Sequence, residues 1–307
     1  MGEAHASEHQ AHPDDLADPT GDVRLRPLPW IVRKHPDRVL VLASHRCFFH
    51  CRFCYRRGET RNGRPAPGER EWGSIARWIA DRPEIREVIL SGGDPLTLPD
   101  RVLARIGRLL ASVPHVRAWR VHTRAPVVQP GRVTAGLIAA LTSGPSARVV
   151  LHANHPLELV PAVRDAVARL RAGGIPVENQ SVLLRGVNDR PEALAALVED
   201  LARIGVRQRY LHHPDRAQGT ARFRLSLRQG LALYRAFADR VSVPPPAYVV
   251  DLPNGAGKAR VASLAAVAVE TRGPLRRTRY RWIRPPGWKS VVSDTRYEWW
   301  DVWEETG

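Results

Sequence analysis

The sequence predicts an α/β protein whose core is an open, partial (β/α)6 barrel. Apolar strand patterns and amphipathic helix patterns alternate at about thirty residues per pair, which is the signature of parallel βαβ units. The first strand pattern, residues 39–43, is a continuous apolar run, as expected of a strand that is buried on both faces. About six such units are too few to close an eight-stranded barrel of roughly 250 residues, so the predicted barrel stays open.

The predicted elements follow one another along the chain. The first strand, residues 39–43, reads Val-Leu-Val-Leu-Ala, and Gly173-Gly174 and Pro191 supply helix stop and start signals. The other predicted strands are residues 87–90, 118–122, 148–152, 177–184, 207–212 and 248–250. The predicted helices are residues 72–79, 102–110, 137–141, 160–171, 191–204 and 225–238. This order predicts a TIM-like barrel whose site lies at the carboxyl ends of the strands.

Three parts of the chain are expected to differ in organisation. Residues 1–22 are polar, His-rich and acidic, which predicts a disordered N-terminal tail. Residues 23–258 form the partial barrel domain with a short N-terminal extension. Residues 259–307 form a C-terminal extension that is first rich in Arg and then rich in Trp. We interpret this extension as a cover that packs its aromatic residues over the barrel opening; docking of nucleic acid or an acidic protein is the alternative.

Composition narrows the classes of protein to which the chain can belong. The 307 residues carry a formal net charge of +16, but the arginines are scattered through every segment, so nucleic acid is an unlikely partner that composition does not exclude. No apolar run approaches membrane-spanning length, and the start does not resemble a signal peptide. We therefore expect a cytoplasmic protein that does not bind membranes, in a compartment that keeps its thiols reduced.

All three cysteines lie on one short loop, as Cys47-Phe-Phe-His-Cys51-Arg-Phe-Cys54, directly after the first strand. Three thiolates at this spacing suit a [4Fe-4S] cluster in which the fourth iron has no protein ligand and can chelate a small molecule. In the alternative, His50 would complete a Cys3His zinc site, although two adjacent ligands rarely reach one tetrahedral ion. The C-x3-C-x2-C motif with Phe53 resembles the radical S-adenosylmethionine superfamily, which implies that S-adenosylmethionine is cleaved to a 5'-deoxyadenosyl radical.

Several further blocks of sequence together resemble the lysine 2,3-aminomutase family. They are Tyr55-Arg56-Arg57, residues 88–96 with Gly92-Gly93-Asp94, His122-Thr-Arg-Ala-Pro-Val127, Asn154-His155-Pro156, residues 179–189 and the loop Asp251-Leu-Pro-Asn-Gly-Ala-Gly-Lys258. The resemblance runs from about Pro36 to Lys258. It implies an isomerase that moves the α-amino group of an amino acid to the β-carbon, with S-adenosylmethionine and pyridoxal 5'-phosphate as cofactors.

The resemblance also implies a role for individual residues, carried over position by position. The cluster would be held by Cys47, Cys51 and Cys54. S-adenosylmethionine would be bound by Gly92, Gly93, Asp94, His152 and Gln180. Pyridoxal phosphate would be held by Lys258 as a Schiff base and by Lys34 and Arg38 at its phosphate. The substrate carboxylate would be clamped by Arg56, and Asp215 and Asp251 would hold the far amine of lysine or of another cationic amino acid such as arginine.

Some positions depart from the family pattern. Asn254 and Ala256 stand where glycines are usual in the loop before Lys258, and His212 stands where a tyrosine is expected. The helical N-terminal extension used in assembly and a cysteine-bearing zinc segment are not found, so the resemblance says nothing about oligomeric state. An external electron donor such as flavodoxin or ferredoxin is implied. The alternatives are a radical enzyme that modifies RNA or a protein through its basic, Trp-rich tail, and a non-catalytic zinc or nucleic-acid-binding protein.

Overall fold

The computed structural model describes residues 12–60 and 65–305, and its centre is a nine-stranded sheet whose strands lie side by side in chain order. The strands of this sheet are β1 (Ile31–Val32), β2 (Arg38–Ser44), β3 (Glu87–Gly92), β4 (Ala118–Thr123), β5 (Ser146–Leu151), β6 (Val177–Val182), β7 (Arg207–His212), β8 (Ala247–Leu252) and β9 (Gly257–Arg260). Strands β2 to β8 are parallel, whereas β1 and β9 pair antiparallel with their neighbours. The sheet curls into a half-barrel, which confirms the predicted fold class.

Helices connect the parallel strands and cover one face of the sheet. They are α1 (Arg57–Thr60), α2 (Glu69–Ala80), α3 (Asp100–Ala111), α4 (Ala125–Val128), α5 (Ala135–Leu141), α6 (Pro161–Ala172), α7 (Pro191–Arg203) and α8 (Leu227–Ala238). Six of them, α2, α3, α5, α6, α7 and α8, each join one parallel strand to the next, which gives the six predicted βα units. None of the described helices combines the length and the apolar character that crossing a bilayer requires.

Local sequence explains where these helices form. In α3, Leu103, Ile106 and Leu110 recur at helical spacing and are fully or almost fully buried against the sheet. Helix α8 begins with a capping box, because Ser226 Oγ accepts a hydrogen bond from the Gln229 amide and Gln229 Oε1 accepts one from the Ser226 amide. Helices α6 and α7 both begin with proline, which has no amide hydrogen to leave unsatisfied there.

The C-terminal extension forms a second, antiparallel sheet beside the half-barrel. Its strands are β10 (Ala265–Arg272), β11 (Leu275–Ile283), β12 (Arg296–Trp300) and β13 (Glu304–Glu305). Trp282 and Trp299 are buried and pack with residues of β7, β8 and α8 in a shared core. The Val291 amide donates to the Lys34 carbonyl at 3.0 Å, so the extension also reaches the open edge at β1. It thus covers the open side of the half-barrel, and its tryptophans do not line the pocket at the carboxyl ends of the strands.

Two predicted boundaries differ from the structure. The predicted disordered tail includes residues 12–22, yet Leu16 donates its amide to the Arg216 carbonyl, and Thr20 and Asp22 are buried. Asp22 is held there by two basic side chains, an interaction that composition could not predict. Residues 1–11 of the predicted tail lie outside the described residues. The boundary between residues 258 and 259 falls inside β9, because that strand pairs with β8 along Gly257–Arg260.

Candidate active site

One pocket opens at the carboxyl ends of the parallel strands, and every residue assigned to a site from the sequence lines it. These residues are Cys47, Cys51, Cys54, Gly92, Gly93, Asp94, His152, Gln180, Lys34, Arg38, Lys258, Arg56, Asp215 and Asp251. Most of them lie near or after the carboxyl ends of different parallel strands, which meet at one edge of the sheet, whereas Arg38 begins β2 and Lys258 lies in β9. Side chains that line one pocket can hold several bound molecules close enough together to react.

The cysteine loop lies at one end of the pocket, with three free, partly buried thiols. Burial and the neighbouring Cys54 raise the pKa of Cys47 to about 12, and burial and Cys51 raise the pKa of Cys54 to about 11. The thiols are therefore neutral unless a metal supplies positive charge. Arg124 Nη1 donates to Cys51 Sγ at 3.5 Å.

The donor chemistry of the cysteine loop suits a cluster. Its three cysteines are free and all of them line the pocket. Each thiol of a [4Fe-4S] cluster binds a different iron, so the thiols need to surround a space and not one point. Three free thiols on one side of a shared pocket match that requirement.

Gly92 and Gly93 let the turn after β3 pass very close to the backbone of the cysteine loop. Gly92 has φ +113°, and a β-carbon on Gly93 would lie 2.3 Å from the Arg46 carbonyl oxygen. The amides of Gly93 and Asp94 donate to the carbonyls of Ser44 and Arg46 at 2.6 and 2.7 Å. The two glycines therefore hold the cysteine loop and the β3 turn together.

The carboxylate of Asp94, which the resemblance assigns to S-adenosylmethionine, is bonded within the protein. It accepts hydrogen bonds from Thr123 Oγ1 at 2.6 Å and from the amides of Leu96, Arg124 and Ala125 at 2.9 to 3.0 Å. A buried carboxylate needs such partners, and the β4 turn supplies most of them. Asp94 fixes the loops that form this end of the pocket.

His152 and Gln180 lie next to each other on the pocket wall, at the ends of β5 and β6. Gln180 Nε2 donates to His152 Nε2 at 2.9 Å. Burial and the charge of Arg124 lower the pKa of His152 to about 3, so the imidazole is neutral at physiological pH. His122 lies beside it with 5.9 Å between ring centroids, and its Nε2 has no hydrogen-bond partner in the described structure. Together they form a polar, uncharged wall.

Lys34 is assigned to the cofactor phosphate and Arg56 to the substrate carboxylate, and both side chains contact the buried carboxylate of Asp22. Asp22 Oδ1 lies 2.6 Å from Lys34 Nζ, and Asp22 Oδ2 accepts from Arg56 Nη2 at 2.5 Å. Arg56 also donates to Ser91 Oγ at 3.1 Å. Arg38 remains partly exposed, with Asp37 3.4 Å away. Asp22 thus partly neutralises this end of the pocket and fixes the direction of the Arg56 guanidinium.

The two carboxylates assigned to the substrate amine have unlike environments. Lys258 Nζ donates to Asp251 Oδ1 at 3.0 Å, and His212 Nδ1 donates to Asp251 Oδ2 at 3.2 Å. Burial raises the pKa of Asp251, but Lys258 and His212 outweigh burial and hold that pKa well below its usual value. Burial and the charge of Asp251 raise the pKa of Asp215 well above its usual value, and no described side chain donates to that carboxylate. An ammonium placed beside Asp215 would supply the missing partner.

Sequence reasoning missed several pocket residues. Asp22 gave no local signal, because it lies in an acidic, Pro- and Gly-containing segment. Arg120 lines the pocket two residues before His122. Residues two apart in a strand face the same side of the sheet, so the position of His122 could have identified Arg120. Arg209 and Tyr210 both line the pocket next to the register shift between β6 and β7, which no periodicity argument would predict.

The chain is similar in sequence to several known proteins. The family model of the radical SAM superfamily matches residues 41–198, about half of the chain. A protein of Treponema pallidum (strain Nichols), provisionally named L-lysine 2,3-aminomutase, is 40% identical over 84% of this chain and 73% of its own length. The L-lysine 2,3-aminomutase of Fusobacterium nucleatum is 35% identical over 80% of this chain and 58% of its own length. The glutamate 2,3-aminomutase of Clostridioides difficile is 31% identical over 80% of this chain and 58% of its own length.

A solved structure supports the fold alone. Streptococcus suis SuiB bound to its precursor peptide SuiA superposes with a TM-score of 0.53, at 15% identity over 71% of this chain and 49% of SuiB. The chain spans 73%, 58% and 58% of the length of the three sequence relatives. The part that matches the family model, residues 41–198, includes the cysteine loop and most residues that line the pocket. The chain belongs to the lysine 2,3-aminomutase family, radical SAM isomerases whose cofactors are a [4Fe-4S] cluster, S-adenosylmethionine and pyridoxal phosphate.

Proposed function

We propose that the protein is an amino acid 2,3-aminomutase that moves the α-amino group of L-lysine to the β-carbon. When bound, the cluster and S-adenosylmethionine supply a 5'-deoxyadenosyl radical, and pyridoxal phosphate supplies a π-system through which the amino group can migrate. The protein's own residues must bind these groups, orient the substrate and exclude water. Each end of the pocket has residues suited to part of that work.

The cysteine end of the pocket would bind the cluster and S-adenosylmethionine. Cys47, Cys51 and Cys54 would be the cluster ligands, with Arg124 offsetting their negative charge through its contact with Cys51. Gly92 and Gly93 would present the β3 turn to the methionine end of the cofactor, with Asp94 holding that turn in place. His152 and Gln180 would line its nucleoside end with neutral hydrogen-bonding groups.

The opposite end would bind pyridoxal phosphate. Lys258 is a partly exposed amine at the pocket wall, and arginine cannot replace it in forming an imine. Lys34 and Arg38 would contact the phosphate. Asp251 accepts a hydrogen bond from the Lys258 amine at 3.0 Å. Its carboxylate would orient that amine and balance a positive charge on or near it.

The observation that carries the proposed substrate is the pair of carboxylates, Asp215 and Asp251, in the same pocket as Lys258. Asp251 is ionised, and the Asp215 carboxylate lacks a hydrogen-bond donor among the described side chains. One additional cation between them would therefore be stabilised by both carboxylates. A substrate whose side chain ends in an ammonium fits this requirement, whereas the glutamate side chain would place a second carboxylate charge beside the ionised Asp251. Arg56, oriented by Asp22, would bind the substrate carboxylate.

The test is an anaerobic assay of reconstituted protein with S-adenosylmethionine, pyridoxal phosphate, reductant and separately lysine, arginine, ornithine or glutamate. Products are identified by mass spectrometry and derivatised chromatography. We expect a β-amino isomer of unchanged mass from lysine. Turnover of glutamate in preference to lysine would contradict the role given to Asp215 and Asp251. Accumulation of 5'-deoxyadenosine with every amino acid unchanged would overturn the proposed reaction.

A further inference from the structure

A loop of the C-terminal sheet bridges the two edges of the half-barrel. Residues 284–295 connect β11 to β12, and we call them the clamp loop. The described sheet of the half-barrel begins at β1 and ends at β9, and each of these two strands pairs with one neighbour. An edge strand is held by fewer hydrogen bonds than an inner strand, so its position depends more on contacts outside the sheet.

A first set of contacts holds the turn between β8 and β9. Trp288 Nε1 donates a hydrogen bond to the Ala256 carbonyl at 2.9 Å, and Asn254 Nδ2 donates one to Asp294 Oδ2 at 3.3 Å. The Trp288 ring also lies against Gly257, because a β-carbon on that glycine would be 3.7 Å from Trp288 Cζ2. Asn254 and Ala256 are the two positions at which this turn departs from the glycines of the family, and both of them contact the clamp loop.

A second set of contacts holds the segment that follows β1. The Val291 amide donates to the Lys34 carbonyl at 3.0 Å, and His35 Nδ1 donates to the Lys289 carbonyl at 2.6 Å. Burial and the charge of Arg38 lower the pKa of His35 to about 4, so its ring is neutral and has one N–H to donate. The clamp loop thus holds this segment through two backbone groups of its own.

The clamp loop is itself anchored in the core that the two sheets share. Trp288 packs edge-on against Trp282, with 5.8 Å between ring centroids, and Trp282 is 1% exposed. The Arg284 amide donates to the Thr295 carbonyl at 2.7 Å, and the Arg284 guanidinium donates to the Asp294 carbonyl at 2.7 Å. The loop is therefore a fixed support for the two edges that it contacts.

We infer that the clamp loop is a positioning element of the pyridoxal phosphate site and that Trp288 is its principal residue. The loop holds the turn next to Lys258 on one side and the backbone of Lys34 on the other, and the proposed function assigns both lysines to this cofactor. Trp288 is not among the described residues that line the pocket, so it acts through the position of the Lys258 backbone and not by contact with the cofactor. The inference rests on the proposed function for the roles of the two lysines.

Titration of the reconstituted protein with pyridoxal phosphate tests the inference without any amino acid present. The Kd is read from the imine absorbance of the wild type, Trp288→Phe and Asp294→Ala. Trp288→Phe keeps an aromatic ring against Trp282 and removes the indole N–H, so we expect its Kd to rise about fivefold to tenfold. Asp294→Ala removes the partner of Asn254 at an exposed position, and its Kd should rise about threefold.

Two further readouts separate a change of position from a loss of stability. Induced circular dichroism at the imine band depends on how the site orients the cofactor. We expect a smaller signal per bound cofactor in Trp288→Phe, whereas a merely less stable protein would keep that signal unchanged. In the protein without pyridoxal phosphate, hydrogen exchange should be faster at residues 253–258 of Trp288→Phe and unchanged at residues 47–54.

Matched variants provide the controls. Trp300→Phe makes the same change at a half-buried tryptophan of β12, and Asp165→Ala makes the same change at an exposed aspartate of α6. Both should bind pyridoxal phosphate with a Kd within about twofold of the wild type, because no described contact of either side chain reaches the clamp loop. Every variant should keep the iron content of the wild type, since the cysteine loop is unchanged.

A Kd within about twofold of the wild type in both clamp-loop variants, with unchanged circular dichroism, would overturn the inference. Equal losses in the control variants would also overturn it. Lys258→Ala separates this failure from a failure of the proposed function. If Lys258→Ala retains the imine absorbance, the proposed function loses its cofactor assignment and the inference falls with it. If Lys258→Ala loses the absorbance while both clamp-loop variants bind as the wild type does, the inference alone fails.

Discussion

Replacing Asp22 by Asn should destabilise the protein more than any other single change of charge near the pocket. Its carboxylate compensates two side chains, Lys34 and Arg56, that are 16% and 7% exposed. Removing one partner of a buried ion pair costs about 3–5 kcal/mol, because it leaves charges buried without compensation. Since Lys34 keeps the Thr20 carbonyl and Arg56 keeps Ser91, we expect about 3 kcal/mol, or a fall in Tm of about 5–10 °C.

The effect should depend on pH in a defined direction. Burial raises the pKa of Asp22, but Arg56 and Lys34 outweigh burial and hold the pKa below its usual value of 3.8. The carboxylate is therefore ionised in the folded protein at pH values where it would be protonated in the unfolded chain. Its contribution to stability is complete above about pH 5 and falls as the pH drops below about 4. The difference in Tm between wild type and Asp22→Asn should narrow only in that acidic range.

Thermal unfolding followed by circular dichroism between pH 3 and pH 8 measures both effects. Asp37→Asn is the matched control, because Asp37 is 36% exposed and lies 3.4 Å from Arg38. An exposed pair contributes at most about 1 kcal/mol, so this variant should melt within about 3 °C of the wild type. An Asp22→Asn protein that melts no lower than Asp37→Asn would show that the N-terminal segment is not anchored in the pocket.

Three further predictions concern the cofactor, the substrate and the C-terminal sheet. Lys258→Ala should abolish the imine absorbance that appears on adding pyridoxal phosphate, whereas Lys289→Ala, at an exposed lysine, should retain it. Asp215→Asn should lower kcat/KM for lysine by about 100-fold while iron content stays normal; an unchanged kcat/KM would remove Asp215 from the substrate site. Trp282→Ala should cost about 3–5 kcal/mol in chemical unfolding, because the indole is fully buried in the core shared by the two sheets; a cost below 1 kcal/mol would contradict that packing.

The half-barrel was predictable where its strands are apolar on both faces, because such runs are visible without tertiary information. The run at residues 39–43 lies within β2, and Val39, Val41, Leu42 and Ala43 are buried there. The strands of the C-terminal sheet were missed for the opposite reason. In β11, Thr278, Tyr280 and Trp282 alternate with arginines, and Tyr280 and Trp282 pack in the shared core. The arginines lower the average hydropathy of the segment, so the alternation of apolar and polar residues that marks a strand was not recognised.

The site was predictable to the extent that it is built from strand ends. The cysteines, His152, Gln180, Asp215 and Asp251 all follow or end a parallel strand, so their convergence follows from the fold. What could not be predicted is which groups bond to one another. Asp94 faces inward to four protein donors, and Asp22 reaches Arg56 across 34 residues of sequence. Such contacts depend on packing between distant segments and leave no local pattern.

The central claim is that this pocket moves nitrogen from the α- to the β-carbon of lysine. The most direct measurement supplies lysine labelled with 15N at the α-amino group to the reconstituted protein, under anaerobic conditions with both organic cofactors, and locates the label by NMR. We predict a product in which 15N is bonded to the β-carbon, formed by the wild type and not by Lys258→Ala. Lysine recovered with all of its label still at the α-carbon, while 5'-deoxyadenosine is released, would contradict the claim.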